Sequence, residues 1–175
     1  MNDFTIEEWR GEQAGDLDML ADVLHAVVHA DASVSFVLPF PIEEARRFWT
    51  DKVLPGVAKG SHKVLVSWSG GKIVGTVQLE LAGQPNQQHR AEVAKLLVHP
   101  EARRRGIARA LMSRLEDLAR SERRTLLTLD TRTGDKAEPL YQSMGYVLVG
   151  RIPGFARGPF SPKLESTTIF YKELS

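Results

Sequence analysis

Leu97-Val98-His99-Pro100-Glu101-Ala102-Arg103-Arg104-Arg105-Gly106-Ile107-Ala108 is the stretch on which the reading of this chain turns. Ahead of it, Ala91 to Val98 reads as a strand, ended by Pro100, which has no N–H to give a ladder. Behind it, Ile107, Leu111, Leu115 and Leu118 recur at helical spacing, so a helix is expected from about Gly106 to Arg120. Thr125 to Leu129 is again apolar and strand-like. Strand, helix and strand in that order form a βαβ unit, whose two strands should be parallel. Ligands of such sheets bind at the carboxyl ends of the strands, which puts the turn after Val98 first in line.

Working outward, Phe4 to Trp9 alternates as a first strand. Leu17, Leu20, Val23, Leu24, Val27 and Val28 keep helical spacing, with Asp16 as the expected N-cap. Asp31 to Pro41 reads as a loop with an apolar patch. Pro41 opens a second helix to about Val57, with Glu43 and Glu44 in the first turn, where the dipole favours them. His62 to Trp68 and Lys72 to Leu81 form a hairpin about Ser69-Gly70-Gly71. Past Leu129, Asp135 is expected to cap a short helix that has Pro139 in its first turn. Tyr146 to Ile152 and Thr167 to Tyr171 complete the strands. The order β-α-α-β-β-β-α-β-α-β-β gives an α/β fold with a mixed sheet.

The 175 residues suit one domain with a sizeable core. No run approaches the roughly 18 apolar residues of a membrane span, and Met1-Asn2-Asp3-Phe4 lacks the basic and apolar regions of a signal peptide. Cysteine is absent, which excludes disulfides, thiolate metal sites and a cysteine nucleophile, and suits the cytoplasm. With 23 basic against 22 acidic side chains, the net charge of +1 calls for neither nucleic acid nor an anionic membrane as partner.

The positive charge is nevertheless clustered at Arg103-Arg104-Arg105. A helix N-terminus has unpaired N–H groups and a partial positive charge. A tight turn there aims successive amides into one concavity, and Gly106 and Ala108 leave room for an anion to approach. By itself the hexapeptide Arg103 to Ala108 fits a pyrophosphate cradle and a solvated basic turn equally well. The P-loop pattern G-x-x-x-x-G-K-S/T is missing, and so is the dinucleotide pattern G-x-G-x-x-G at this turn. Neither P-loop ATP nor Rossmann-bound NAD is expected. His25 and His29 have ligand-like spacing but no third partner, so no metal is expected.

The stretch from Leu97 to Ala108 resembles the core motif of the GNAT N-acetyltransferases, a V-x-P strand end followed by Q/R-x-x-G-x-G/A. Ala137-Glu138-Pro139-Leu140-Tyr141-Gln142-Ser143-Met144-Gly145-Tyr146 resembles the family's second motif, A-x-x-L-Y-x-x-x-G-F/Y. Order and separation also match. Arg90 to Val93, Leu129 to Thr131, Gly150 to Phe155 and Phe170 to Lys172 are similar to the tabtoxin-resistance branch, which acetylates an amine on a small β-lactam amino acid. Where many members carry Asn three residues before the second motif's first Ala, this chain has Gly134, without a side chain for the coenzyme contact that Asn makes.

The resemblance implies a mixed, mainly antiparallel sheet of six to seven strands flanked by about four helices. It implies one domain over 1–175, with 1–60 on the acceptor side and 61–175 as the acetyl-CoA-binding core. It implies direct transfer of acetyl from acetyl-CoA to a primary amine, expected to be that of a small amino-acid-like molecule, with no metal; a homodimer is compatible. A protein lysine or N-terminal acetyltransferase and a non-catalytic coenzyme A sensor are the alternatives. Backbone groups of Leu96, Leu97 and Val98 would line the pantetheine and acetyl carbonyl, which needs this strand to splay from its neighbour, as a bulge allows. Arg103, Arg104, Arg105, Gly106, Ile107 and Ala108 would hold the pyrophosphate.

Three side chains are candidates for the chemistry. Glu92, on the strand before the motif, is the base for an ammonium of pKa about 10, with a solvated charge paired to Arg90 or Lys95 as the other reading. Asp130, ending the next strand, binds or deprotonates the amine, or else caps a turn. Tyr141 is the acid for the departing thiolate, or else packs its ring in the core. Phe36 and Phe40, in the loop before the second helix, are candidates for acceptor binding or for core.

Overall fold

The computed structural model describes residues 3–11, 13 and 15–175. Strand β1 (Thr5–Trp9) precedes helix α1 (Asp16–His29). Helix α2 (Ile42–Arg47), a π-helical turn (Phe48–Val53) and helix α3 (Leu54–Ala58) follow one another without a break. Pro55 explains the π turn, because it has no N–H to return to the preceding turn. Next come β2 (His62–Ser69), β3 (Lys72–Leu81), β4 (Arg90–Val98), α4 (Ile107–Ser121), β5 (Leu126–Arg132), α5 (Ala137–Ser143), β6 (Val147–Arg157) and β7 (Leu164–Glu173). Counting Ile42 to Ala58 as one helical body, four bodies flank the sheet, as expected.

The seven strands form one sheet in the order β1-β2-β3-β4-β5-β7-β6. Among the described residues, only β4 and β5 are parallel, as a βαβ unit requires; every other neighbour is antiparallel. Alternation along β2 divides two cores between the faces. Leu65 points to α4 with Val77, Leu79, Leu111 and Leu115. Val64 and Val66 point to α1 with Leu20, Leu24 and Trp49. A β-strand sends successive side chains to opposite faces, so one strand serves both layers. Among the described residues, no helix is long and apolar enough to cross a membrane.

Several local expectations are corrected. Asp16 is the first residue of α1, whose N-cap is Gly15. Its buried carboxylate instead accepts a hydrogen bond from Trp9 Nε1 at 3.1 Å, since the indole N–H needs a partner once enclosed. Asp135 makes no side-chain cap on α5; Lys136 holds the N-cap position, and the Asp135 carboxylate lies 3.8 Å from Arg132. Strand β6 runs on through Pro153 to Arg157 because it is the sheet edge, where a missing N–H costs no ladder bond.

Candidate active site

The pairing of β4 with β5 ends early. Arg90, Ala91 and Glu92 lie opposite Leu126, Leu127 and Thr128, and beyond that level the strands part. On its other side β4 stays paired to β3, but with a slip: Thr76 faces Leu97 and Gln78 faces Ala94, so Lys95 and Leu96 share the place opposite Val77. This is the expected bulge. Lys95 takes φ +51 to make it, a left-handed conformation that costs a residue with a Cβ roughly 1–2 kcal/mol. Among the described residues, bulge and parting leave the β5-facing backbone edge of Leu96, Leu97 and Val98 without a strand partner.

A cleft of about 650 Å³ occupies the opening. Its walls include Glu92, Asp130 and Tyr141, the three catalytic candidates, together with Leu96, Leu97, Val98, Arg103 and Ala108. The fold thus brings most of the expected site residues into one space. Register explains the acidic part. Glu92 lies directly opposite Glu80 on β3 and Thr128 on β5, and Asp130, two residues past Thr128, is on Thr128's face. The Asp130 carboxylate accepts a hydrogen bond from Thr167 Oγ1 at 2.7 Å. Burial, then the nearby charges of Glu80 and Asp130, raise the Glu92 pKa above its ordinary value. Burial lowers that of Lys95, against the opposing pull of Glu80, Asp130 and Glu92. Tyr141 is buried, and desolvation pushes its phenol pKa well up, with Asp135 and Asp130 adding to the shift. It therefore keeps its proton.

At the other end of the cleft, the turn before α4 has Arg104 at φ +61 and Gly106 at φ +79. A Cβ at Gly106 would meet nothing within 4 Å, so the space beside this backbone is open. No acidic residue occupies the first turn of α4, and its first N–H groups have no helical partner. This geometry fits a diphosphate. The arginines divide their work: Arg103 faces the cleft, Arg104 is exposed, and Arg105 turns away to Asp3 at 2.5 Å and Ser69 Oγ at 2.8 Å. Ile107 offers its backbone alone, its side chain being buried in the α4 core. Gly134 has φ +79, a conformation that glycine adopts freely.

Phe36 and Phe40 stand elsewhere. Phe40 is buried in the α1 core, and Phe36 packs on it at 4.6 Å between ring centres. Their neighbours Val34 and Ser35 form the wall instead. Lys95 and Arg132 are two site residues that sequence reasoning passed over. Lys95 Nζ reaches Ser35 Oγ at 3.4 Å, joining the bulge to the loop after α1. Arg132 donates to the Asp31 carbonyl at 2.9 Å and lies near the carboxylates of Asp31, Glu165 and Asp135 at 3.5–3.8 Å. Of these carboxylates Asp135 is three residues away, whereas Asp31 and Glu165 lie far off in the chain and leave no local signal at Arg132. Among the described residues, no group of three or more His, Cys, Asp or Glu is placed to hold a metal ion.

The profile of the acetyltransferase (GNAT) family matches residues 26–146, which span the parting strands, the turn and Tyr141. The chain belongs to the GNAT acetyltransferase family. This GNAT enzyme is 32% identical over 142 residues to an uncharacterized N-acetyltransferase from the hisH-hisA intergenic region of Azospirillum brasilense, covering 79% of this chain and 82% of that one. Its fold is similar to yncA of Salmonella typhimurium, solved with its cofactor acetyl-CoA, at a TM-score of 0.77 and 20% identity over 99% of this chain and 95% of that one. It is similar also to the ribosomal-protein-alanine N-acetyltransferase of Brucella melitensis, with a TM-score of 0.80 and 22% identity over 97% and 99% of the chains. The protein is a GNAT-type N-acetyltransferase with a seven-stranded, mostly antiparallel sheet.

Proposed function

We propose that this enzyme transfers acetyl from acetyl-CoA to the primary amine of a small, amino-acid-like molecule, directly and with both substrates bound. The observation that carries this reading is the cleft between the parted strands, with the amide-rich turn at one end and the Glu92–Asp130 carboxylates at the other. When bound, acetyl-CoA supplies an activated thioester carbonyl. The backbone from Arg104 to Ala108, with the charge of Arg103, would hold its diphosphate, and the free edge of Leu96 to Val98 would receive its pantetheine.

The acceptor arrives as an ammonium and must lose a proton. Glu92, with its raised pKa, takes that proton more readily than an ordinary carboxylate. Asp130, steadied by Thr167, holds the amine in line. Tyr141 carries at Oη the proton that the departing sulfur needs. The absence of cysteine supports direct transfer, because no acyl-thiol form of the protein is available.

The acceptor end supports a small molecule over a peptide. The Leu38 N–H donates to the Pro159 carbonyl at 3.2 Å, and Arg132 ties Asp31 to Glu165, so two loops span that end of the cleft. One domain over 1–175, with 1–60 on the acceptor side, and a cytoplasmic location belong to the same proposal. So does a homodimer, supported by the edge strand β6, which exposes Val147, Val149 and Ile152.

The test is an amine panel with acetyl-CoA, read by thiol release, followed by initial rates with both substrates varied. Acetylation of small amines with intersecting rate plots is expected. Parallel plots would contradict direct transfer. Coenzyme binding without turnover of any amine would make the protein a coenzyme sensor.

A further inference from the structure

Five cationic side chains line the cleft: Lys95, Arg103, Arg132, Lys136 and Arg157. Three of them are committed. Arg132 lies against three carboxylates. Lys95 is surrounded by the charges of Glu80, Glu92 and Asp130. Arg103 stands on the diphosphate turn, its Nε donating to the Val98 carbonyl at 3.4 Å. Lys136 stands at the opposite end of α5 from the Arg109–Ser143 bond, directly after Asp135 of the Arg132 cluster.

Arg157 remains. It is exposed on the wall at the end of β6 and, among the described residues, is joined to no carboxylate. Its backbone is nevertheless held. Next to it, Gly158 packs so closely on the Arg132 cluster that a Cβ there would come within 3.1 Å of Glu165 Oε2. One residue further, Pro159 accepts the bond from Leu38. Phe155, two residues before Arg157 and also on the wall, has 53% of its surface exposed.

The cleft therefore has an acidic pole at Glu92 and Asp130 and a separate cationic pole at Arg157. Resting on the proposed function, we infer that Arg157 receives the acid group of the acceptor, and that the acceptor carries this group several bonds from its reacting amine. The spacing comes from β7. Asp130 is anchored at Thr167, whereas Arg157 lies opposite Leu164. Three strand residues separate those levels, about 10 Å at roughly 3.4 Å per residue. That exceeds the separation of amine and carboxylate on one carbon, even after an arginine side chain bends inward. Phe155 would cover the apolar stem between them. A guanidinium meets a carboxylate with two parallel N–H donors, which gives discrimination as well as affinity.

The experiment compares kcat/KM for δ-aminovalerate and pentylamine, which share chain length and differ in the acid group. They are assayed with wild type, Arg157→Gln and Arg157→Glu. Wild type should prefer δ-aminovalerate by about 10-fold or more, the worth of a hydrogen-bonded charge. Arg157→Gln should abolish that preference by slowing δ-aminovalerate alone, and Arg157→Glu should reverse it. The KM for acetyl-CoA should stay constant, which a merely structural loss would not leave intact. An unchanged preference in Arg157→Gln, or a wild type that favours pentylamine, overturns the inference. So does a wild type that rejects both probes yet acetylates other amines. A wild type that acetylates no amine overturns the proposed function instead.

Discussion

Lys172 and Lys95 each lie among carboxylates, and they part company in how completely their charge is met. Lys172, on β7, gives Nζ–H bonds to both oxygens of Glu116 at 2.8 Å and to the Met144 carbonyl at 2.6 Å. An ammonium has three donors, and all are used. The Glu116 side chain is only 9% exposed, so the pair clamps α4, β7 and the end of α5 in the interior. Lys95 sits on a strained bulge, touches a hydroxyl at 3.4 Å, and has three carboxylates near it without an ion-pair contact among the described residues. Similar side chains thus make a fold clamp where every donor is satisfied, and an open cluster in the cleft where, among the described residues, no ion-pair contact is made.

Removing one member of the closed pair should have the largest effect. Lys172→Met leaves Glu116 charged and enclosed, and should cost about 3–5 kcal/mol in urea unfolding, with kcat per folded molecule unchanged. A loss within about 1 kcal/mol, the range of an exposed pair, would erase the contrast.

Glu92→Gln should do the opposite, lowering turnover on the order of 10²-fold while leaving unfolding within about 1 kcal/mol of wild type. A base must be unprotonated, and the Glu92 pKa is raised. Activity of the wild type should therefore climb with pH through a value above the ordinary ~4.3. That limb should vanish in the variant, and the loss should shrink at alkaline pH, where more amine is already neutral. A variant with the same pH–rate limb would remove Glu92 as the base. Tyr141→Phe should also cost on the order of 10²-fold, and less for a thioester with a more acidic thiol. Near-normal turnover, or a large fall in thermal stability, would return Tyr141 to a packing role.

The smallest change is expected at Lys95, yet it probes the open cluster most closely. The Lys95 charge lowers the Glu92 pKa, against burial and the two acids. Lys95→Met removes that influence, so the acidic limb of kcat/KM should move to higher pH, with stability altered by no more than about 1 kcal/mol. A limb that stays in place or moves to lower pH would show that Lys95 does not act on the base.

Much of this arrangement was legible in the sequence. The βαβ unit followed from period changes around Pro100, and Glu92, Asp130, Tyr141 and the turn from Arg103 to Ala108 all reach the cleft or its end. What escaped was set by contacts between distant segments. Asp16 looks like a cap until Trp9 folds over it and takes its carboxylate. Phe36 and Phe40 read equally as acceptor-binding or as core residues, because an apolar loop gives no sign of which face will be enclosed. The left-handed turn at Lys95 is imposed by register with β3, and the partners of Arg132 come from Asp31 and Glu165, far away in the chain.

The central claim is that the open turn before α4 holds the diphosphate of acetyl-CoA, and Gly106→Asp tests it most directly. Asp tolerates positive φ better than most residues, and a Cβ at this place meets open space, so the fold should survive. The new carboxylate would stand against the diphosphate, and juxtaposed like charges cost several kcal/mol. Calorimetric titration with acetyl-CoA should show affinity falling on the order of 10²-fold or more, with a wild-type unfolding curve. An unchanged Kd in a fully folded Gly106→Asp variant would contradict the account.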